Sequence, residues 1–173
     1  MHLTPATAAH LAHVRAHLRP SALRDLQDAN GPDADCGAAF DFAVQVSRVV
    51  YAFITESGEC VGIGAACDEP FHDAAGMPWF MGTPGMHAEE RGVLRASRAL
   101  IGYFYDAHPW KMLATYISSN NPVSLRWLTR WLGFVHEGDI GNYARATIPF
   151  HVVVHHPTAA TCRYDRTLFH PGI

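Results

Sequence analysis

The sequence predicts a single α/β (α+β) domain, and three observations carry that expectation. Its 173 residues, 49% apolar and 17% charged, match the size and composition of one globular unit with a real core. Two short β-branched or small-residue runs, VVYAFITE and CVGIGAAC, flank Ser57-Gly58-Glu59 and read as a β-hairpin. Between His87 and His108, Val93, Leu100, Phe104 and Ala107 share one face of a 3.6-residue period, the mark of a long amphipathic helix.

In chain order, a short first strand is expected at His2 to Thr4. Leu11, Val14 and Leu18 at i, i+3 and i+7 then indicate a helix from Thr7 to Leu18, with Thr7 as N-cap and Pro20 closing it. After the turn-rich Asn30-Gly31-Pro32-Asp33, Ala39, Phe42 and Val46 recur at helical spacing and place a second helix within Asp35 to Arg48. The hairpin follows. A Gly/Pro/His-containing connection then leads to GMPWFMGT, read as a central strand between Gly76 and the Gly82-Thr83-Pro84-Gly85 break, with Pro78 at its start. The long helix comes next and sets Arg91, Arg95 and Arg98 together on a second face. KMLATYIS reads as another strand. Asn121 caps a further helix with Pro122 at its first position, Leu125, Leu128, Trp131 and Leu132 facing inward, and Gly133 ending it. FVHEG and YARATIPFHVVVH around Asp139-Ile140-Gly141-Asn142 read as a terminal hairpin. The expected division is a domain of residues 1–154 and an extension of residues 155–173 that packs on a partner or covers an edge strand.

Composition excludes several classes. No stretch approaches the ~20 uninterrupted apolar residues of a membrane span, and MHLTPATAAHLAH lacks the basic start and apolar run of a signal peptide, so a cytoplasmic address with no membrane partner is expected. A net charge of −3 with neutral histidines argues against a nucleic-acid partner held by bulk charge. Cys36, Cys60, Cys67 and Cys162 form no CxxC pair and read as buried free thiols. Twelve histidines, among them the pairs His10/His13 and His155/His156, match no HExxH or Cys/His ligand spacing, so no metal site is expected.

The element order, with a long helix after the central strand and the segment YISSNNPVSLRWLTRWLGF behind it, resembles the GNAT superfamily of N-acetyltransferases over roughly residues 1 to 154. The combination WFMGTPGM, LRASRALI and NNPVSLRWLTRWLGF further resembles a divergent GNAT-like branch of tailed phages and prophages. The resemblance implies a mixed, largely antiparallel central sheet of six to seven strands flanked by about four helices. It also implies acetyl-CoA as co-substrate.

On that resemblance, Phe80, Met81 and Gly82 occupy the strand whose backbone amides bind the cofactor arm and polarise the thioester carbonyl; otherwise they form an ordinary buried strand. The pyrophosphate is expected where the long helix opens, in HAEERGVLRAS, which keeps one glycine, Gly92, where the family pattern has two. Arg91 and Arg95, with Arg98, either contact the phosphates or form a solvated face. Asn121 and Ser124 match the family's Asn-x-x-Ser, although a helix cap explains Asn121 as well. Thr129 stands where many members place a tyrosine that protonates the departing thiolate, and threonine is a poor acid. Glu69, Asp68, His72 and His87 fall near strand ends as candidate general bases, each equally readable as a surface residue. Trp79, Phe80, Trp127 and Trp131 read as core packing.

Two functions follow as expectations: an acetyl-CoA-dependent N-acetyltransferase acting directly on a small-molecule or peptide primary amine, or a non-catalytic phage structural or morphogenesis component that keeps the fold. The partner is then the acceptor amine, a second copy in a homodimer, or a phage protein.

Overall fold

The computed structural model describes residues 1–141, 143 and 148–170, with nothing said of the Cys162 side chain. Its strands are β1 (His2–Pro5), β2 (Val49–Ile54), β3 (Cys60–Asp68), β4 (Ala75–Gly82), β5 (Met112–Ser118), β6 (Val135–Ile140) and β7 (Phe150–His155). Its helices are α1 (Ala8–Ala16), α2 (Pro20–Asn30), α3 (Cys36–Val46), α4 (Glu90–Ala107) and α5 (Pro122–Arg126), the last running into a π-helical turn at Trp127–Trp131. The strands form one sheet in the order β1-β2-β3-β4-β5-β7-β6. All neighbours are antiparallel except β4 and β5, and α4 is the crossover that a parallel pair requires. A mixed, mostly antiparallel sheet between helices is thus the fold expected from the sequence.

Both faces of the sheet centre are covered, which explains the unbroken apolar run in β3, buried from Cys60 to Cys67. On one face α4 turns Val93, Ala96, Leu100 and Phe104 onto Leu3, Phe53, Leu113 and Val153. On the other, Val14 of α1, Ala22 and Leu26 of α2 and Phe40 of α3 pack on Ala52 and Ile63.

Local signals account for most boundaries. Thr7 caps α1, and His10 closes a reciprocal capping box with it. Helix α2 is the element that the sequence reading lacks. Pro20, read there as a stop, is the first residue of α2, where its missing N–H costs nothing and its fixed φ suits a helix. Helix α3 has the expected extent but not the expected face: Phe40 is buried, whereas Phe42 and Val46 are 64% and 43% exposed. In α4 the expected face is inward except Ala107, which lies exposed in the last turn.

Pro78 sits inside β4 rather than at its start. It lies beyond Gly76, the last β4 residue paired with β5, on a strand whose one side has become open, where a proline is tolerated. The terminal hairpin places β7 between β5 and β6. Of the strand expected over YARATIPFHVVVH, β7 begins at Phe150, and residues 142 and 144–147 lie outside the described set. Cys60 and Cys67 are buried and Cys36 half-buried, all three free thiols, as expected.

Residues 161–170 pack on α4 and on the sheet edge. Short 3₁₀ turns at Thr161–Arg163 and Arg166–Leu168 lie against α4, where Gly102 comes so close that a Cβ would stand 2.5 Å from the Thr161 carbonyl oxygen. Leu168 is buried, Phe169 bridges to Leu3, and the His170 N–H donates to the Leu3 carbonyl at 2.8 Å. The open edge of β1 is covered in this way.

Candidate active site

Strands β4 and β5 pair only at Ala75 with Met112 and Gly76 with Leu113. Beyond that point β4 stays paired with β3 as far as Gly82, and β5 with β7 as far as Ser118. The two strands therefore diverge, and among the described residues the side of β4 away from β3 has no strand partner from Met77 to Gly82.

Two cavities open along this split. The larger, of about 470 Å³, is lined by Phe80 of β4, Met86 and His87 of the following 3₁₀ turn, Glu90, Arg91 and Leu94 of α4, and Ser124, Arg126, Trp127 and Trp131. The smaller, of about 210 Å³, is lined by Asp25 and Leu26 of α2, Trp79 and Phe80 of β4, Tyr116 to Ser118 of β5, and Tyr143. Arg19, Phe80, Ser124 and Trp127 line both, so the two form one groove passing through the split.

The aromatic residues read as core are walls of this groove. Phe80 and Trp127 meet edge to face at 5.3 Å, and Trp131 is 47% exposed at the rim. Trp131 is held by its backbone: Arg98 donates two hydrogen bonds to its carbonyl, at 3.0 and 2.8 Å. The π turn widens the helix here, as Leu132 N–H reaches the Trp127 carbonyl, and Gly133 at φ +81° ends it. A gap between strand and helix is thereby filled by rings that leave a channel.

Where the groove narrows, buried polar groups converge. Asn121 Oδ1 accepts from the Ser124 N–H at 3.0 Å, the expected cap, and Asn121 Nδ2 donates to Asp25 Oδ2 at 2.6 Å. Asp25 Oδ1 and Arg19 Nε are both buried without a hydrogen-bond partner among the described residues. Burial pushes the Asp25 carboxyl up to about 6, against the hydrogen bond from Asn121 and the attraction of Arg19. Beside it Asp28 Oδ2 accepts from Ser118 Oγ at 2.5 Å. Sequence reasoning missed Asp25 and Arg19 because it missed α2; the i, i+4 spacing of Ala22 and Leu26 after Pro20 was the available signal.

The other expected residues divide. Phe80, Arg91 and Ser124 line the groove, Met81 lines its smaller part, Asn121 supports it, and Gly82 ends β4 where Met86 presses against its Cα. Gly92 instead faces Met1, and Arg95 Nε lies 3.9 Å from Asp165; neither lines either of these two cavities. The three arginines of α4 thus have three different neighbours. Thr129 donates its hydroxyl to the Leu125 carbonyl. Glu69 is buried and accepts from Tyr116 Oη at 2.7 Å and the Phe71 N–H at 2.8 Å. Asp68 is engaged by Arg48 and by Trp110 Nε1. His72 accepts from the Ala74 N–H in its own turn, and His87 stands at the rim of the larger cavity.

Away from the groove, His136 Nε2 and His151 Nδ1 lie 3.0 and 2.6 Å from Asp139 Oδ1 on β6 and β7, an arrangement that two hydrogen bonds account for. Among the described residues no helix is long and apolar enough to cross a membrane.

No protein-family model matches the sequence, and no curated protein matches it either. Solved structures do share the fold. AAC(6')-Ib, in complex with ribostamycin and coenzyme A, superimposes with a TM-score of 0.69 at 15% identity, covering 95% of this chain and 98% of that one. A spermidine N-acetyltransferase variant from Vibrio cholerae gives 0.65 at 9% identity, covering 93% and 96%. An acetyltransferase of the GNAT family from Bacillus anthracis gives 0.67 at 11% identity, covering 89% and 93%. At these identities the likeness establishes the fold and nothing finer.

Proposed function

We propose that the chain is an N-acetyltransferase that moves acetyl from acetyl-CoA directly to a primary amine within one ternary complex. The observation that carries this is the groove itself: a strand that has parted from its β5 neighbour, reached by one cavity from α4 and by another from α2. The fold shared with acetyltransferases, one of them solved with coenzyme A, supports the reading.

The residues present suit the co-substrate. Arg19, Arg91 and Arg126 put three cations around the larger cavity against the single carboxylate of Glu90. The first turn of α4 has no side-chain cap, because Glu89 makes no cap hydrogen bond, so its N–H groups are available to an anion. Acetyl-CoA supplies the acetyl group in activated thioester form. The backbone N–H groups of Phe80 and Gly82, which alternate onto the open side of β4, bind the extended arm and polarise the carbonyl, while Met81 between them turns its N–H to β3. Arg91 and Arg126 hold the phosphates, Ser124 stands at the junction of the cavities, and Asn121 orients the groups beside it. Gly92 and Arg95 have no part in this reading. The non-catalytic phage component raised by the sequence is favoured by no observation of the fold.

The test is calorimetric titration of acetyl-CoA and free CoA into the purified protein. Micromolar binding is expected, weakened about tenfold or more by Arg91→Ala, since a charged hydrogen bond contributes about 1.5–3 kcal/mol. Absence of heat at millimolar ligand would sink the proposal.

A further inference from the structure

The smaller cavity is lined by a carboxylate that the fold uses with one oxygen only. Asp25 spends one oxygen on Asn121 and leaves Oδ1 buried and, among the described residues, unpartnered, an arrangement that costs stability unless a ligand completes it. Among the described residues Asp25 is the only carboxylate lining this cavity, and Arg19, whose Nε has no partner among them, is its only cation. The remaining described lining is mostly apolar or ring-bearing, including Leu26, Trp79, Ile117, Tyr143 and Phe150. Its volume of about 210 Å³ lies below the usual range for drug-sized ligands.

We infer that Asp25 anchors the acceptor's ammonium group and takes its proton, and that the acceptor is a small primary monoamine carried on an apolar, ring-bearing body. This rests on the acetyltransferase reading above and gives its missing base and its substrate class. A polyamine would bring further ammonium groups to walls that offer hydroxyls at Ser118, Ser124 and Tyr143 but, among the described residues, no second carboxylate to balance their charge. A large polyhydroxylated amine would exceed the volume of about 210 Å³.

The ammonium donates to Asp25 Oδ1, and its proton passes to that oxygen. The freed amine nitrogen then forms the C–N bond at the thioester carbonyl carbon as the C–S bond breaks. The second proton shed by nitrogen goes to the departing sulfur, leaving an amide and a thiol, and Asp25 returns its proton to solvent. A carboxyl held near 6 is ionised at neutral pH yet basic enough for this task. The charged and titratable groups around it are Arg19, Arg24 and Asp28 from the α2 side and Tyr116 and Tyr143 across the cavity. Arg19 and Arg24 stabilise the anion and Asp28 opposes it.

The test combines CoA titration with acetylation of two probes, 2-phenylethylamine and spermidine. The expected result is wild-type kcat/KM for 2-phenylethylamine at least tenfold above that for spermidine, falling on the acid side with a midpoint near pH 6. Asp25→Asn should lower kcat at least 100-fold with CoA affinity unchanged, which also shows that the variant is folded, and Asp25→Glu should restore part of it. Wild-type kcat and an unchanged acid limb in Asp25→Asn would overturn the role of Asp25. CoA binding without acetylation of 2-phenylethylamine, or with spermidine preferred, would overturn the acceptor class and leave the acetyltransferase reading standing. Absence of CoA binding would remove that reading and this inference with it.

Discussion

Replacing Asp25 by asparagine should make the protein more stable at alkaline pH. The carboxyl is displaced from 3.8 to about 6, chiefly by burial, so the folded state holds the charged form at a disadvantage of about two pKa units. At 1.36 kcal/mol per unit that is about 3 kcal/mol. The sign follows from proton counting. Below pH 3.8 both states are protonated and the cost is absent; between 3.8 and 6 the folded state binds more protons, so stability falls as pH rises; above 6 the full cost stands. Asparagine keeps the size and the oxygen that accepts from Asn121. Asp25→Asn should therefore gain up to about 3 kcal/mol at pH 8, or about 6–12 °C in Tm for a chain of this length, and only about 0.6 kcal/mol at pH 4. Scanning calorimetry of both proteins at the two pH values reads this directly. A Tm at pH 8 that is unchanged or lower, or a gain equal at both pH values, would refute the reasoning. A stabilising loss of a site carboxylate is the usual exchange between stability and activity.

The remaining predictions concern other parts of the structure. His155 is buried and lowered from 6.5 to about 4, so its contribution has the opposite sense: full above pH 6.5 and lost as pH falls. To separate the two groups, unfolding is followed in the Asp25→Asn protein, where stability should drop by about 2 kcal/mol between pH 7 and pH 5; a flat profile would contradict a neutral buried His155. In Gly102→Ala the new methyl would lie 2.5 Å from both the Thr161 carbonyl oxygen and Tyr164 Cβ. A loss of about 1–3 kcal/mol is expected, with faster protease cleavage within residues 161–170, and unaltered cleavage would show that the contact is slack.

The parts of the fold legible in the sequence are those with local causes. The hairpin of β2 and β3, the period of α4 and the Asn121 cap are each written within a few residues. Helix α2 was hidden because one proline both follows α1 and starts α2. Asp25 was hidden with it, and nothing in the spacing of a helix 96 residues upstream announces a partner in Asn121. The arginines of α4 show the other limit: periodicity puts them on one face, but their partners come from Asp165, the Trp131 carbonyl and a cavity wall, three places fixed only by tertiary packing. Area alone assigns Trp79, Trp127 and Trp131 to the core, whereas the diverging strands leave them a channel to line. The phage resemblance remains an expectation of the sequence, since no comparison bears on it.

The divergence of β4 from β5 also has a mechanical meaning. The sheet consists of two hydrogen-bonded plates, β1 to β4 and β5 to β7, joined along two residue pairs at one end. The apolar cluster under α1, α2 and α3 draws its sheet residues from the first plate, whereas the cluster under α4 includes Leu3 and Phe53 of the first and Leu113 and Val153 of the second. Helix α4 is therefore the girder through which the plates share cooperativity, and damage to its inner face at Leu100 or Phe104 is felt by both, while damage in α3 stays with one.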